Sequence, residues 1–343
     1  MNLLQIILFS LVKIVIVLTV MLLTVSYLVY FERRISAWAQ NRLGPNRVGW
    51  EGLLQPFADV LKLLLKEDIV PEIADKKIHT LAPVIALFVA FTTYAVIPFG
   101  PSVTVFGFKV PLVVADINIG ILYVLALTSL GVYAITLAGW SSGSKYSLLG
   151  GIRASAQMIS YEVSMGFSVG GVLLLAGSLR PVAIIQAQSG WMWNAILQPI
   201  GFITFLVSAF AETNRLPFDL PEAEPELVGG FHTEYSGMKF AAFYLAEYAN
   251  MIIASAMIVT LYLGGWQFPY LNTFGLSTAL YVIISILTFC TKIAALLFLF
   301  IWIRWTLPRF RYDQLMNLGW KVMFPLSLLN LIWVAFLVMV FKL

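Results

Sequence analysis

The sequence predicts an all-α integral membrane protein, one membrane domain over residues 1–343. Three observations carry that prediction. Of 343 residues, 60% are hydrophobic and only 11% charged, whereas charged residues make up about a quarter of a soluble globular chain. Eight apolar runs are long enough to cross a bilayer, which takes about 20 residues each. They cover 4–31, 80–99, 118–139, 157–177, 195–212, 239–264, 276–303 and 320–341. No stretch shows the apolar/polar alternation of a half-buried strand.

The first run has no basic leader and is too long for the core of a cleavable signal, so it reads as a retained span. Lys13 within it is expected to snorkel toward headgroups. Sixteen of the 21 Lys and Arg residues fall in or at the margins of the first, third, fifth and seventh connections. Basic connections stay on the cytoplasmic side, which puts both termini on the outer side. The net charge of +4 therefore concerns orientation and implies no nucleic-acid partner. One cysteine, Cys290, and two histidines, His79 and His232, provide no ligand set for a metal, haem or iron–sulfur cluster.

The first connection, 32–79, is too long for a simple turn. Over residues 50–66 it places Leu53, Leu54, Phe57, Val60, Leu61 and Leu64 at helical spacing, away from Gln55, Asp59, Lys62 and Lys66. That pattern predicts an amphipathic helix lying at the interface against the bundle. Glu32, Arg33 and Arg34 directly follow the first run and read as topology anchors. His79, bordering the second run, is expected at the interface, and Lys109 and Asp116 as solvated charges of the outer side.

Two carboxylates lie inside apolar runs: Glu162 in ISYEVSMG and Glu247 in FYLAEYANM. A charge at a helix centre costs roughly 2.5–3.5 kcal/mol on insertion scales, so such a residue faces a polar cavity or a partner. A proton path is one reading, because a desolvated Glu holds its proton until a nearby charge changes. A structural ion pair with Arg153, Lys239 or Lys292 is the other. Ser155, Gln157, Ser160, Tyr161 and Ser164 make a wet strip around Glu162.

Between the fifth and sixth runs, FAETNRLPFDLPEAEPELVGGFHTEY holds six of the 17 acidic residues: Glu212, Asp219, Glu222, Glu224, Glu226 and Glu234. The acids alternate with apolar residues, and Pro217, Pro221 and Pro225 keep the backbone out of a regular helix. This predicts a rigid, partly buried acidic loop, with a solvated surface loop as the plain alternative. His232 within it is placed either to trade protons or simply to be hydrogen-bonded. No nucleotide-binding loop, nucleophile set or transporter-like repeat is present.

Five separated motifs resemble one family along the whole chain. They are GLLQPFADVLKLLLKE, IRASAQMISYEVSMG, AETNRLPFDLPEAEPELVGGFHTEYSG, AEYANM and WIRWTLPRFRYDQLMNLGWK. The chain is similar to the quinone-chamber membrane subunit of proton-pumping NADH:quinone oxidoreductase, respiratory complex I. The resemblance implies a multi-pass protein of the bacterial inner membrane, or an equivalent energy-converting membrane, that carries no redox centre itself. Quinone would be its substrate, with NADH, FMN and iron–sulfur clusters in partner subunits. Those partners would include other membrane-arm subunits and the hydrophilic-arm subunit with the terminal cluster. Arg33, Arg34, Asp59, Arg304, Arg309, Arg311 and Asp313 would match the quinone chamber and its rim. Glu212, Arg215, Asp219, Glu222, Glu224 and Glu226 would match the acidic loop leading inward. Glu162 and Glu247, with Arg153 and Lys292, would belong to the coupling path. Two alternatives stay open: the homologous subunit of a ferredoxin-dependent dehydrogenase or membrane-bound hydrogenase, and a stand-alone proton-coupled carrier.

Overall fold

A computed structural model describes residues 3–105, 108–190, 192–219, 228–269 and 277–341. Among these, seven helices are long and apolar enough to cross a membrane. In chain order the helices are α1 (Leu3–Ala39), α2 (Gln55–Leu64), α3 (Lys76–Thr93), α4 (Gly120–Ser141), α5 (Lys145–Ala176), α6 (Pro181–Ala187), α7 (Asn194–Leu197), α8 (Pro199–Glu212), α9 (Gly237–Tyr262), α10 (Thr278–Thr306), α11 (Tyr312–Asn317) and α12 (Phe324–Phe341). A π-helical turn, Leu318–Met323, joins the last two. Phe324 separates it from Pro325, whose missing N–H and bulky ring disrupt the ordinary bond back to the carbonyl of Lys321 within that turn.

The run expected as a fifth span is shorter than a bilayer requires. Helix α8 has 14 residues, about 21 Å at 1.5 Å per residue, against a hydrocarbon core of about 30 Å. Gln198, at φ −137° and ψ 68°, breaks it away from α7. Other boundaries move outward. Helix α1 continues through Glu32, Arg33 and Arg34 to Ala39, because nothing before Gly44 and Pro45 interrupts it. Helix α5 starts at Lys145, so Arg153 lies on a helix and not in a connection. The expectation of no strands also fails, since Val103–Val105 and Phe108–Val110 pair as a small antiparallel hairpin.

Helix α9 is the axis of the bundle. From Met251 to Tyr262 nearly every side chain is buried, and α9 touches α1, α2, α3, α6, α8 and α10. Its C-terminal end lies in apolar surroundings where free carbonyls are costly, and side chains capture them. Gln188 donates to Thr260 O at 2.9 Å and Asn194 to Leu261 O at 2.7 Å. Lys292 donates to Leu263 O, Gly265 O and Gln267 O at 2.6, 3.0 and 2.7 Å and sits 4.5 Å from the Trp193 ring centre. Lys292 thus meets carbonyls here instead of neutralising Glu162 or Glu247. Lys13 does not snorkel; it donates to Val113 O at 3.0 Å. Nor is His79 interfacial: it is fully buried and stacked on Tyr235 with ring centres 3.9 Å apart.

The long first connection, between α1 and α3, is tied down by named contacts. Asp75 caps α3 by accepting from Lys77 N and Ile78 N, a cap worth about 1 kcal/mol. Lys239 at the start of α9 pairs with Asp68 at 2.9 Å. Helix α2 forms as expected and touches α1 and α9. Its apolar face, however, is left uncovered among the described residues: Leu54, Phe57, Val60, Leu61 and Leu64 are 45–59% exposed.

Helix α5 is pressed against the turn Gly230–His232, and Gly150 permits it. A Cβ there would lie 2.8 Å from Gly230 Cα. We expect Gly150→Ala to lower the stability of the assembled protein by about 1–3 kcal/mol, the usual cost of overpacking. Thermal denaturation in detergent measures this, and an unchanged midpoint contradicts it.

Candidate functional site

Four elements converge on Arg215. Thr213 to Arg215 leave α8 just past its end, and Gln157 on α5 fixes them by donating to Ala211 O at 2.8 Å and Phe218 O at 2.7 Å. The Arg215 guanidinium is almost wholly buried, at 3% exposure. Its Nη1 donates to both oxygens of Glu32 at 3.0 Å, and its Nε pairs with Glu247 at 2.5 Å. Arg304, at the end of α10, also pairs with Glu32. Tyr248 donates its hydroxyl to Glu32 at 2.7 Å and offers its ring face 4.2 Å from the Arg215 guanidinium. Buried charges persist when paired and hydrogen-bonded, and here two carboxylates meet two guanidiniums. Burial works against the Arg215 charge, but Glu247 and Glu32 more than offset it and raise its pKa well above the ordinary value.

Beside this network, a cavity runs between α3, α4, α5, α8 and α9. Glu212, Glu247, His232, Asn214, Asn250 and Tyr244 supply its polar lining, and Met158, Met165, Phe205 and Met257 part of its apolar wall. Glu247 therefore belongs to both the ion network and the cavity. Glu212 hydrogen-bonds Thr128 within electrostatic reach of Glu162, and Glu162 accepts from Ser129 on α4. The structure thus brings Glu162, Glu212 and Glu247 to one polar region made by helices distant in sequence.

The remaining candidates lie around it. Arg309 pairs with Asp219 at 3.0 Å. Arg33 meets Asp59 on α2 at 2.7 Å. Arg34 meets Glu51 at 2.9 Å and Pro45 O at 3.3 Å. Arg153 lies 5.8 Å from the Tyr312 ring centre. Arg311 and Asp313 lie at the start of α11, where Gln314 accepts from Arg311 N at 3.2 Å. Glu222, Glu224 and Glu226 fall outside the described residues.

Residues 12–335 match the NADH dehydrogenase family. The chain belongs to that family. Among its relatives is NADH-quinone oxidoreductase subunit 8 of Rhodothermus marinus, 55% identical over 95% of this chain and 96% of the relative. An NADH-quinone oxidoreductase subunit of Salinibacter ruber is 52% identical over 95% and 94%, respectively. Another, from Geobacter sulfurreducens, is 53% identical over 93% of each chain.

In this NADH dehydrogenase family member, sequence reasoning overlooked Glu32, which reads as an anchor at a span end yet is the buried hub of the network. Its one signal was position: it faces inward on a helix that does not stop at the membrane surface. Tyr248 was visible only as the neighbour of Glu247.

Two outcomes follow from the network and the loop. Arg215→Ala leaves Glu32 and Glu247 short of a buried partner and is expected to cost about 3–5 kcal/mol. Arg215→Lys restores little, because an ammonium lacks the planar fork that reaches both carboxylates. Melting of the assembled protein tests both. Burial lowers the His232 pKa from 6.5 to about 4. A histidine held neutral by folding stabilises above its unfolded pKa, and that contribution is lost as pH falls from 6.5 through 4. The drop in melting temperature over this window should be smaller in His232→Gln than in the parent protein.

Proposed function

We propose that this chain is the membrane subunit of an NADH:quinone oxidoreductase that walls the quinone chamber, docks the hydrophilic arm and couples quinone reduction to proton translocation. The observation that carries this reading is the Glu32–Arg215–Glu247 network. It links the inner end of α1, where Arg33 and Arg34 meet the α2 connection, to a cavity lined by carboxylates. The names of relatives above 50% identity supply the enzyme. The donor-side cofactors, NADH, FMN and iron–sulfur clusters, belong to partner subunits in this reading.

The uncovered apolar face of α2 is where the chain would meet the quinone tail and the hydrophilic arm, since an exposed apolar patch of this kind marks an interaction surface. Arg33, Arg34, Asp59, Arg304, Arg309, Arg311 and Asp313 would form the charged side of the chamber. Two-electron reduction of a quinone there creates a demand for protons in a poorly hydrated space, where charge acts strongly on its neighbours. Arg215 and Glu32 would feel that change first and pass it to Glu247, Glu212 and Glu162. These acids respond as a set, as coupled groups do. The loop acids Glu222, Glu224 and Glu226, with Asp219, would supply the inward branch. In the same reading α8 is a short eighth span, both termini lie outside, and the membrane is the bacterial inner membrane.

The test is made in the assembled complex in proteoliposomes. Glu212→Gln and Glu247→Gln, with Glu224→Gln as a companion, should lower coupled proton translocation by about tenfold or more while the complex still assembles. Normal pumping and normal quinone reduction in all three would remove the cavity from the mechanism.

A further inference from the structure

Helix α8 starts without a cap from its own end. Pro199 opens it with no N–H, and the preceding residue, Gln198, makes no side-chain hydrogen bond to its first turn. The bond from Phe202 N to Gln198 O at 3.0 Å leaves the Gly201 N–H to find an acceptor elsewhere. Asn330 supplies it from α12. Its Oδ1 accepts from Gly201 N at 3.0 Å and its Nδ2 donates to Gln198 Oε1 at 3.2 Å, and both amide side chains are fully buried. Two glycines make the room: a Cβ on Gly201 would lie 2.6 Å from Asn330 Nδ2, and one on Gly171 of α5 2.5 Å from Gln198 Oε1. A side-chain oxygen on a first-turn N–H is what an N-cap provides, and here it comes from a helix 129 positions away.

We propose that Asn330 is a positioning residue: by capping α8 from α12 it sets how far that short helix reaches along its axis, and so where Glu212 and Arg215 stand. This rests on the coupling role proposed above. With 14 residues, α8 cannot be located by reaching both membrane surfaces, so its ends need fixed partners. Gln157 holds the far end through Ala211 O, Ser168 meets Thr204 midway at 2.6 Å, and Asn330 holds the start. Glu212 is the last residue of α8, and Arg215 follows directly on the turn beyond it. The hydrogen-bonded helix between is stiff, about 16 Å from Gly201 to Glu212, so slack at its first turn is carried to Glu212 and to the Arg215–Glu32 pair.

The test uses the assembled complex in proteoliposomes, with rates taken per assembled complex. Asn330→Leu and Asn330→Asp are both close in size to asparagine, but only the second keeps an oxygen for the Gly201 N–H. Gln198 Nε2, which has no partner among the described residues, can turn to meet the new carboxyl. Asn330→Ala leaves space for water and covers the case in which Asn330→Leu does not assemble. Asn330→Leu and Asn330→Ala should lower coupled turnover about tenfold with the quinone KM unchanged, and Asn330→Asp should keep most of it. A structure of the Asn330→Ala complex should show α8 shifted along its axis against α5 and α12. Wild-type coupled turnover in Asn330→Ala, or α8 unmoved in its structure, overturns the proposal. Asn330→Asp as slow as the other two, or unable to assemble, also overturns it, because an acceptor oxygen is then not what the site needs. If Glu212→Gln stops pumping while Asn330→Ala pumps normally, the cap fails and the coupling role stands. If Glu212→Gln pumps normally while α8 is displaced in Asn330→Ala, the coupling role fails and the cap stands.

Discussion

Pairing of buried charge is the constraint on which this structure turns. Arg215 is carried by a loop, Glu32 by the first helix, Glu247 by the ninth and Arg304 by the tenth, and none is tolerable alone in a poorly hydrated interior. Bringing them together fixes three helices to one another and to the segment that carries Arg215. The arrangement is reinforced by neutral groups. Tyr248 completes the coordination of Glu32, and Gln157 holds the loop backbone in place.

Helix α9 gains its central role from being secured at both ends by different chemistry. Its N-terminal half presents Glu247 and Tyr248 to the ion network. Its C-terminal end is closed by Gln188, Asn194 and Lys292, which satisfy carbonyls that no water-free environment would leave bare. A helix held in this way keeps Glu247 in a defined register with the cavity. Lys292, which a sequence reading pairs with a carboxylate, contributes at the opposite end from the acids.

Much of the fold was legible because membrane solvent simplifies the problem. Long apolar runs can only be helices there, and five of the eight expected spans recur as long helices with boundaries shifted by a few residues; the first ends eight residues later, the fourth begins twelve residues earlier, and the run at 195–212 forms a helix shorter than the hydrocarbon core. That miss has a local cause: Pro199 and the non-helical Gln198 cut the run. The hairpin at 103–110 escaped notice because three-residue strands are too short to show a period. The amphipathic helix was readable from spacing, but spacing does not say which way its apolar face turns.

By itself the sequence determined the solvent, the helical class and the kinds of residue available for chemistry, because hydropathy and composition are local properties. It also marked Glu162, Glu212 and Glu247, since a carboxylate among apolar residues is anomalous wherever it stands. Only the tertiary structure decided which charges meet. Glu32 and Arg215 are 183 positions apart, and His79, Lys13 and Lys292 find buried partners that no local pattern encodes. Ion pairing depends on distances in space between groups remote along the chain, and packing alone sets those distances.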